Sequence, residues 1–158
     1  MTKPVTTLEF DILDEEHRQI HLHLVELQAL ARRLLQADPT DADRQLAARI
    51  EAFFSETSRK HHMREEETIF PALLKTADEA LTHVLRSLRQ DHGFIEENWI
   101  VLGPQLRAVA EGNHWVDPDE LLHNLEVFTE LCMSHIEREE RLIYPQAKAH
   151  QQAEPSGQ

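Results

Sequence analysis

Two stretches of the chain carry the same phrase. His61 to Pro71 reads HHMREEETIFP and His135 to Pro145 reads HIEREERLIYP. Aligned on their prolines, both follow H-x-x-R-E-E-x-x-I-(F/Y)-P, so a histidine stands four residues before a glutamate in each copy: His61 with Glu65, His135 with Glu139. Residues i and i+4 of a helix lie one above the other on one face, so each pair aims an imidazole and a carboxylate at one point. Carboxylates buried in an apolar stripe are costly unless a cation or partner compensates them. A divalent metal pair would compensate both. Imidazole with carboxylate suits Fe, Mn or Zn better than thiolate sets do, and two carboxylates are natural bridges between metals about 3.5–4 Å apart.

The repeat extends to quieter segments. EEHRQIHLHLVEL from Glu15 matches QDHGFIEENWIVL from Gln90, pairing His17 with His92, Ile20 with Ile95, Leu24 with Trp99 and Leu27 with Leu102. These segments are 75 residues apart and the louder phrases 74 apart. Such constant spacing predicts two related helical hairpins, hence an all-α, antiparallel up-down four-helix bundle with approximate twofold symmetry. Each hairpin would supply one lone histidine from its first helix and one His-x-x-x-Glu pair from its second. The interior would then receive His17, His61, Glu65, His92, His135 and Glu139, leaving metal positions open for water, oxide or a diatomic molecule.

The elements that must position these residues follow from periodicity and caps. Residues 1–10 read as an extended arm, and Asp11 or Asp14 as the cap of a first helix running to about Gln36. The turn signal Ala37-Asp38-Pro39-Thr40 precedes a second helix to about Leu74, which Pro71 would kink or end. A third helix is expected from near Asp78 or Ala80 to about Ala110, bent or broken at Gly103-Pro104. Asp117-Pro118 opens a fourth helix to about His150, with Pro145 acting as Pro71 does. The bundle thus spans residues 11–150, followed by a disordered tail over 151–158. At 100° per residue, the apolar stripes contain the six inward candidates, whereas His62 and Glu66 point away. His62, His23, His83, His114, His123 and His150 are expected to be solvated, Cys132 to be a buried small hydrophobe, and Trp99 and Phe128 to be core. Arg64 and Arg138, at one repeat position, are expected to form surface ion pairs of little worth.

Composition bounds the function. The chain has 158 residues, enough for one domain with a core, and only four glycines. Its net charge of −13 excludes nucleic acid and anionic membranes as main partners. It shows no membrane span or signal peptide, and its single cysteine fits a reducing compartment, so a cytoplasmic location is expected. Exposed apolar residues such as Trp115 and Leu22 leave room for a homodimer beside a monomer.

These residues resemble the hemerythrin-like, or HHE cation-binding, family over about residues 11–148: a first-helix histidine, then H-x-x-x-E-E-x-x-I-F-P, then a second histidine, then H-x-x-x-E-E-x-x-I-Y-P. The resemblance implies an antiparallel four-helix bundle holding two non-haem Fe ions. His17 and His61 would serve one iron, His92 and His135 the other, and Glu65 and Glu139 would bridge them. Oxygen carriers of the family have a fifth histidine four residues after the third-helix histidine, where this chain has Glu96; this weighs against reversible oxygen carriage. His21, four residues after His17, occupies the pseudosymmetric position. Both are candidate ligands, or alternatively partners in a His21–Glu96 hydrogen bond around the centre. The expected function is binding or sensing a small ligand such as oxygen, nitric oxide or iron itself. The alternative is a diiron oxidoreductase acting on peroxide or nitric oxide; no substrate pocket, general acid or reductase motif is legible in its favour.

Overall fold

The computed structural model describes residues 6–153 and is helical throughout its long elements. The first helix, Thr7–Leu34, begins earlier than Asp11 or Asp14: Thr6 caps it, its hydroxyl accepting from the Glu9 N–H while the Glu9 carboxylate accepts from the Thr6 N–H. Residues 7–10, expected in the arm, are therefore its first turn, and Phe10 is buried there. A second reciprocal cap, between Thr40 and Asp43, opens the second helix. The third helix, Glu79–Ala110, starts behind the cap of Asp78. It runs unbroken through Gly103-Pro104, contrary to a break there. Leu102 and Leu106 are both fully buried, so packing on either side of the proline secures the segment. Gly103 has its own reason: a side chain there would press on the Trp99 indole at 3.1 Å.

The second and fourth helices are not uniform. The second passes through Asp41–Ala52, a π-helical turn Phe53–Thr57, Ser58–Arg64, a second π turn Glu65–Ile69, and Phe70–Leu74. The fourth runs as Pro118–Arg138, a π turn Glu139–Ile143, and Tyr144–Ala153. In the repeated turns the N–H of Phe70 reaches the carbonyl of Glu65, and that of Tyr144 the carbonyl of Glu139, one residue further back than in an α-helix. Each of these two repeated turns ends two residues before the proline whose missing N–H and bulky ring would disturb a regular turn. Neither Pro71 nor Pro145 ends its helix. Residues 151–153 of the expected tail are still helical; residues 1–5 of the arm and 154–158 of the tail lie outside the described residues.

Short connections make successive helices antiparallel, and the first and third helices each pack between the second and fourth. Two apolar clusters result. One gathers Ile20, Leu24, Leu27, Ile50, Phe54, Ile95, Leu106, Leu125 and Phe128. The other gathers Phe10, Leu13, Ile69, Phe70, Leu85, Leu88, Ile143 and Tyr144. Along every helix one cluster gives way to the other at the same place: at His17, at His61 to Glu65, at His92 and at His135 to Glu139. A polar layer therefore crosses the bundle between two hydrophobic blocks. No helix among the described residues is long and apolar enough to cross a membrane.

Candidate metal centre

Six residues from four helices meet in this layer. His17, His61, Glu65, His92, His135 and Glu139 are all at most 2 % exposed. Their ligand atoms fall into two groups, each confined within 4.8 Å: His17, His61, Glu65 and Glu139, and Glu65, His92, His135 and Glu139. The carboxylates belong to both groups. Glu65 Oε2 lies 3.5 Å from His61 Nε2 and 3.8 Å from His17 Nε2, while its Oε1 lies 3.2 Å from His92 Nε2. Glu139 Oε1 lies 3.1 Å from His135 Nε2 and 3.4 Å from His17 Nε2.

The other ring nitrogen of each histidine is held by a carboxylate outside the layer. His61 Nδ1–H donates to Glu16 at 3.1 Å and His135 Nδ1–H to Asp91 at 3.2 Å. His17 Nδ1–H donates to Glu140 at 3.1 Å and His92 Nδ1–H to Glu66 at 2.9 Å. Such carboxylate–histidine pairs fix the tautomer and turn Nε2 inward. Arg64 also donates to Glu16 and Arg138 to Asp91, the latter with Ser87 as a further acceptor. These arginines, expected to make idle surface pairs, instead anchor the carboxylates that orient His61 and His135. The arrangement obeys the repeat throughout, Glu16 with Asp91, Arg64 with Arg138 and Glu66 with Glu140.

Tyr144 breaks the symmetry, since Phe70 occupies its counterpart position. Its hydroxyl donates to Glu65 Oε2 at 2.7 Å and lies 3.2 Å from His17 Nε2, while its ring stacks on His17 at 4.9 Å between centroids. Burial, reinforced by the Glu65 and Glu139 charges, holds this phenol well above its ordinary pKa.

The layer is electrostatically tense. Burial alone would push the His17 imidazole down, but the Glu139 and Glu65 carboxylates beside it outweigh this and raise the pKa to about 10. Burial is likewise overcome at His61 by the Glu65 charge and the Glu16 hydrogen bond, to about 9, and at His135 by the Glu139 charge and the Asp91 hydrogen bond, to about 10. Burial would raise Glu65, yet the His61 charge and the surrounding hydrogen bonds hold its carboxyl well below the usual range.

The donor set also fits a metal by what it lacks. His61 Nε2, His92 Nε2, His135 Nε2, Glu65 Oε1 and both carboxylate oxygens of Glu139 are buried with no hydrogen-bond partner. Six such atoms converging on one layer would be costly as an end state. Neighbouring ligands bound to a metal at about 2.1 Å stand about 3.0–3.4 Å apart, and most of the nitrogen–oxygen spacings above fall in or near that range. The residues fit a dinuclear cation site with four imidazoles and two shared carboxylates.

His21 and Glu96 are not brought into either group. His21 is exposed, and its Nδ1 meets Met133 Sδ at 3.3 Å. Glu96 is half-buried and lines a cavity with Arg59 and Trp99. No hydrogen bond joins the two, because they stand on opposite flanks of the bundle, His21 by the fourth helix and Glu96 by the second.

His62 departs from expectation the other way. It is 5 % exposed, stacks on His92 with ring centroids 4.0 Å apart, and its ligand atoms approach those of His92 and His135 within 4.8 Å. Burial, together with the His92 charge, pushes its pKa well below the ordinary value. His61 and His62 are adjacent in the α-helical stretch Ser58–Arg64 and so point about 100° apart. Both directions are covered, His61 facing His17 of the first helix and His62 facing His92 of the third, so a reading that allows one inward direction misses the second. Glu66 points away from the centre as expected, as does its counterpart Glu140, but both hold histidines of the layer. Cys132 is buried, and burial raises its thiol pKa. Phe128 is fully buried, and Trp99 donates its indole N–H to Ser55 Oγ at 3.1 Å.

Comparison with known proteins agrees with this geometry. The hemerythrin HHE cation-binding domain model matches residues 8–147. An uncharacterized protein of Haemophilus influenzae is 31% identical over 93 residues, covering 58% of this chain and 51% of that protein, so the match spans about half the length of the curated relative. No solved structure matches the chain.

Proposed function

The chain belongs to the hemerythrin HHE cation-binding domain family, and we propose that it is a dinuclear, non-haem iron protein that binds or senses a small ligand such as oxygen, nitric oxide or iron itself. The convergence of six buried, unpartnered nitrogen and oxygen atoms on one layer carries the reading. His17 and His61 would hold one ion, His92 and His135 the other, with Glu65 and Glu139 shared. Bound there, the metal pair would supply an open coordination position and a redox-active centre. The chain's own residues do the rest. Glu16, Asp91, Glu66 and Glu140 keep the four Nδ1 protons, so that each Nε2 faces inward as a base. Tyr144 donates to Glu65 and limits which lone pairs of that carboxylate are free. The two apolar clusters exclude bulk water from both ends of the layer. Manganese and zinc are compatible with the same donor set.

The test is metal analysis of protein made in iron-rich medium, with optical spectra before and after oxygen. About two metals per chain are expected, with a ligand-to-iron charge-transfer band. A chain that takes up no stoichiometric metal, and whose melting is indifferent to chelator, would refute the reading.

A further inference from the structure

Two voids meet at His62. The inner one, about 10 Å³, lies against His61, His62, His135 and Glu139 and has room for a single water-sized group. The outer one, about 150 Å³, is walled by Phe54, Trp99, Phe128 and Ile100 between the second and third helices, with Arg59 and Glu96 at its polar margin. Ser58, His62 and Ile95 line both. His62 thus stands in the partition between an apolar cavity and the donor layer. Its Nδ1 is buried without a hydrogen-bond partner. It does not belong to the symmetric donor set, because the repeat places Ile136 at its counterpart position. Its ring lies nearly parallel to His92, at 14°. That stacking is a poor pose for two imidazoles that radiate from one metal, and a good one for a side chain that faces what the metal binds.

Resting on the function proposed above, we propose that His62 is the ligand-contacting residue of an asymmetric access path. A linear ligand of two or three atoms enters through the cavity of Phe54, Trp99 and Phe128, places one end in the inner void on the His135–Glu139 side, and hydrogen-bonds to the imidazole of His62. The counterpart flank, between the first and fourth helices, also holds a cavity, about 490 Å³, that reaches His17, but there Ile136 stands where His62 does and offers no hydrogen bond. The two flanks therefore differ in the side chain at the partition, an imidazole on one and the Ile136 alkyl group on the other, although the donor set is twofold.

Azide is the probe, titrated into iron-loaded full-length protein and followed optically at equilibrium and by stopped flow, with metal content measured on every sample. His62→Leu should keep the wild-type metal content and weaken azide about tenfold, chiefly through a faster off-rate, as expected for one lost hydrogen bond to a charged ligand. His62→Gln, which retains a hydrogen-bonding group, should stay within about threefold. Ile100→Trp changes an exposed side chain at the outer cavity and should slow association and dissociation together, by about fivefold, with the equilibrium constant unchanged. Loss of metal in His62→Leu would make His62 a metal-holding residue and overturn the proposal. Unchanged azide affinity and rates in all three variants would overturn it too, as would wild-type protein that loads metal but binds no azide. Wild-type protein that loads no metal would overturn the functional reading itself, an outcome distinct from these.

Discussion

A histidine serves a metal only if one nitrogen is bare and aimed, and in this chain the aiming is done by carboxylates that never face the centre. Glu16 and Asp91 each accept from a histidine Nδ1–H and from an arginine at once. Removing either leaves the imidazole free to turn and strands a guanidinium. Glu16→Ala and Asp91→Ala should each lower metal affinity by about 10–100-fold, by similar factors because the two occupy equivalent positions, as a competitive chelator titration will show. Glu65→Ala should go further and leave less than one metal per chain, since both groups share that carboxylate. How visible these residues are in the sequence differs for a physical reason. His17 and His92 are legible because each interrupts an apolar stripe at the repeat spacing. Glu16 and Asp91 share that spacing, yet each sits beside an inward histidine where a charged residue is ordinary, so nothing in the pattern marks them. Tyr144 is hidden by its likeness to Phe70: one hydroxyl separates a core aromatic from a group that donates to Glu65.

Helix phase decides what a side chain can reach, and here it is reset three times by wide turns. Regular counting finds Glu65 and Glu139, because each lies four residues from its histidine in a stretch that is still α-helical. It misplaces His62 because the flank one residue round from His61 is covered as well, by His92 of the third helix. The turns at Glu65–Ile69 and Glu139–Ile143 let one helix serve two duties, presenting a carboxylate to the layer and then Ile69 and Phe70, or Ile143 and Tyr144, to the apolar cluster beyond. Deleting the exposed Glu67 removes the extra residue of its turn, which should close to α-helical register while Ile69, Phe70 and Leu73 keep their phase. We expect retained helicity by circular dichroism, a nearly wild-type melting curve and retained metal uptake; a large drop in melting temperature would show that the wide turn itself, and not the phase it sets, is required. The helix ends are governed more simply. Burial would raise the Asp43 pKa, but the Thr40 N–H and the Arg33 guanidinium outweigh it and hold the carboxyl below its usual value. A depressed folded pKa contributes stability above the unfolded value, which is lost as pH falls through the folded one. Asp43→Ala should therefore cost about 1 kcal/mol near neutrality, and its deficit in urea unfolding should shrink as pH drops below about 4.

At the scale of the bundle, the donor layer separates two hydrophobic blocks that do not touch through it. Each block packs for itself, but the layer joins them through imidazoles and carboxylates that are only partly satisfied by one another. Metal binding to the native state alone stabilises it by mass action, about 4 kcal/mol at a free metal concentration 1,000 times the dissociation constant. For a chain of this length 1 kcal/mol moves the melting temperature by about 2–4 °C, so chelation should lower it by about 8–16 °C. The loss should be unevenly spread. Hydrogen exchange should accelerate most in the turns at Glu65–Ile69 and Glu139–Ile143, whose widened hydrogen bonds adjoin the layer, and least around Leu27, Leu106 and Leu125 deep in the larger block. The paired variant Glu65→Gln with Glu139→Gln separates this account from simple loosening by chelator. Without the shared carboxylates it should bind no metal, melt at one temperature with or without chelator, and exchange at the layer at a single rate. A chelator response that persists in that variant would mean that the metal stabilises the bundle from somewhere other than the layer.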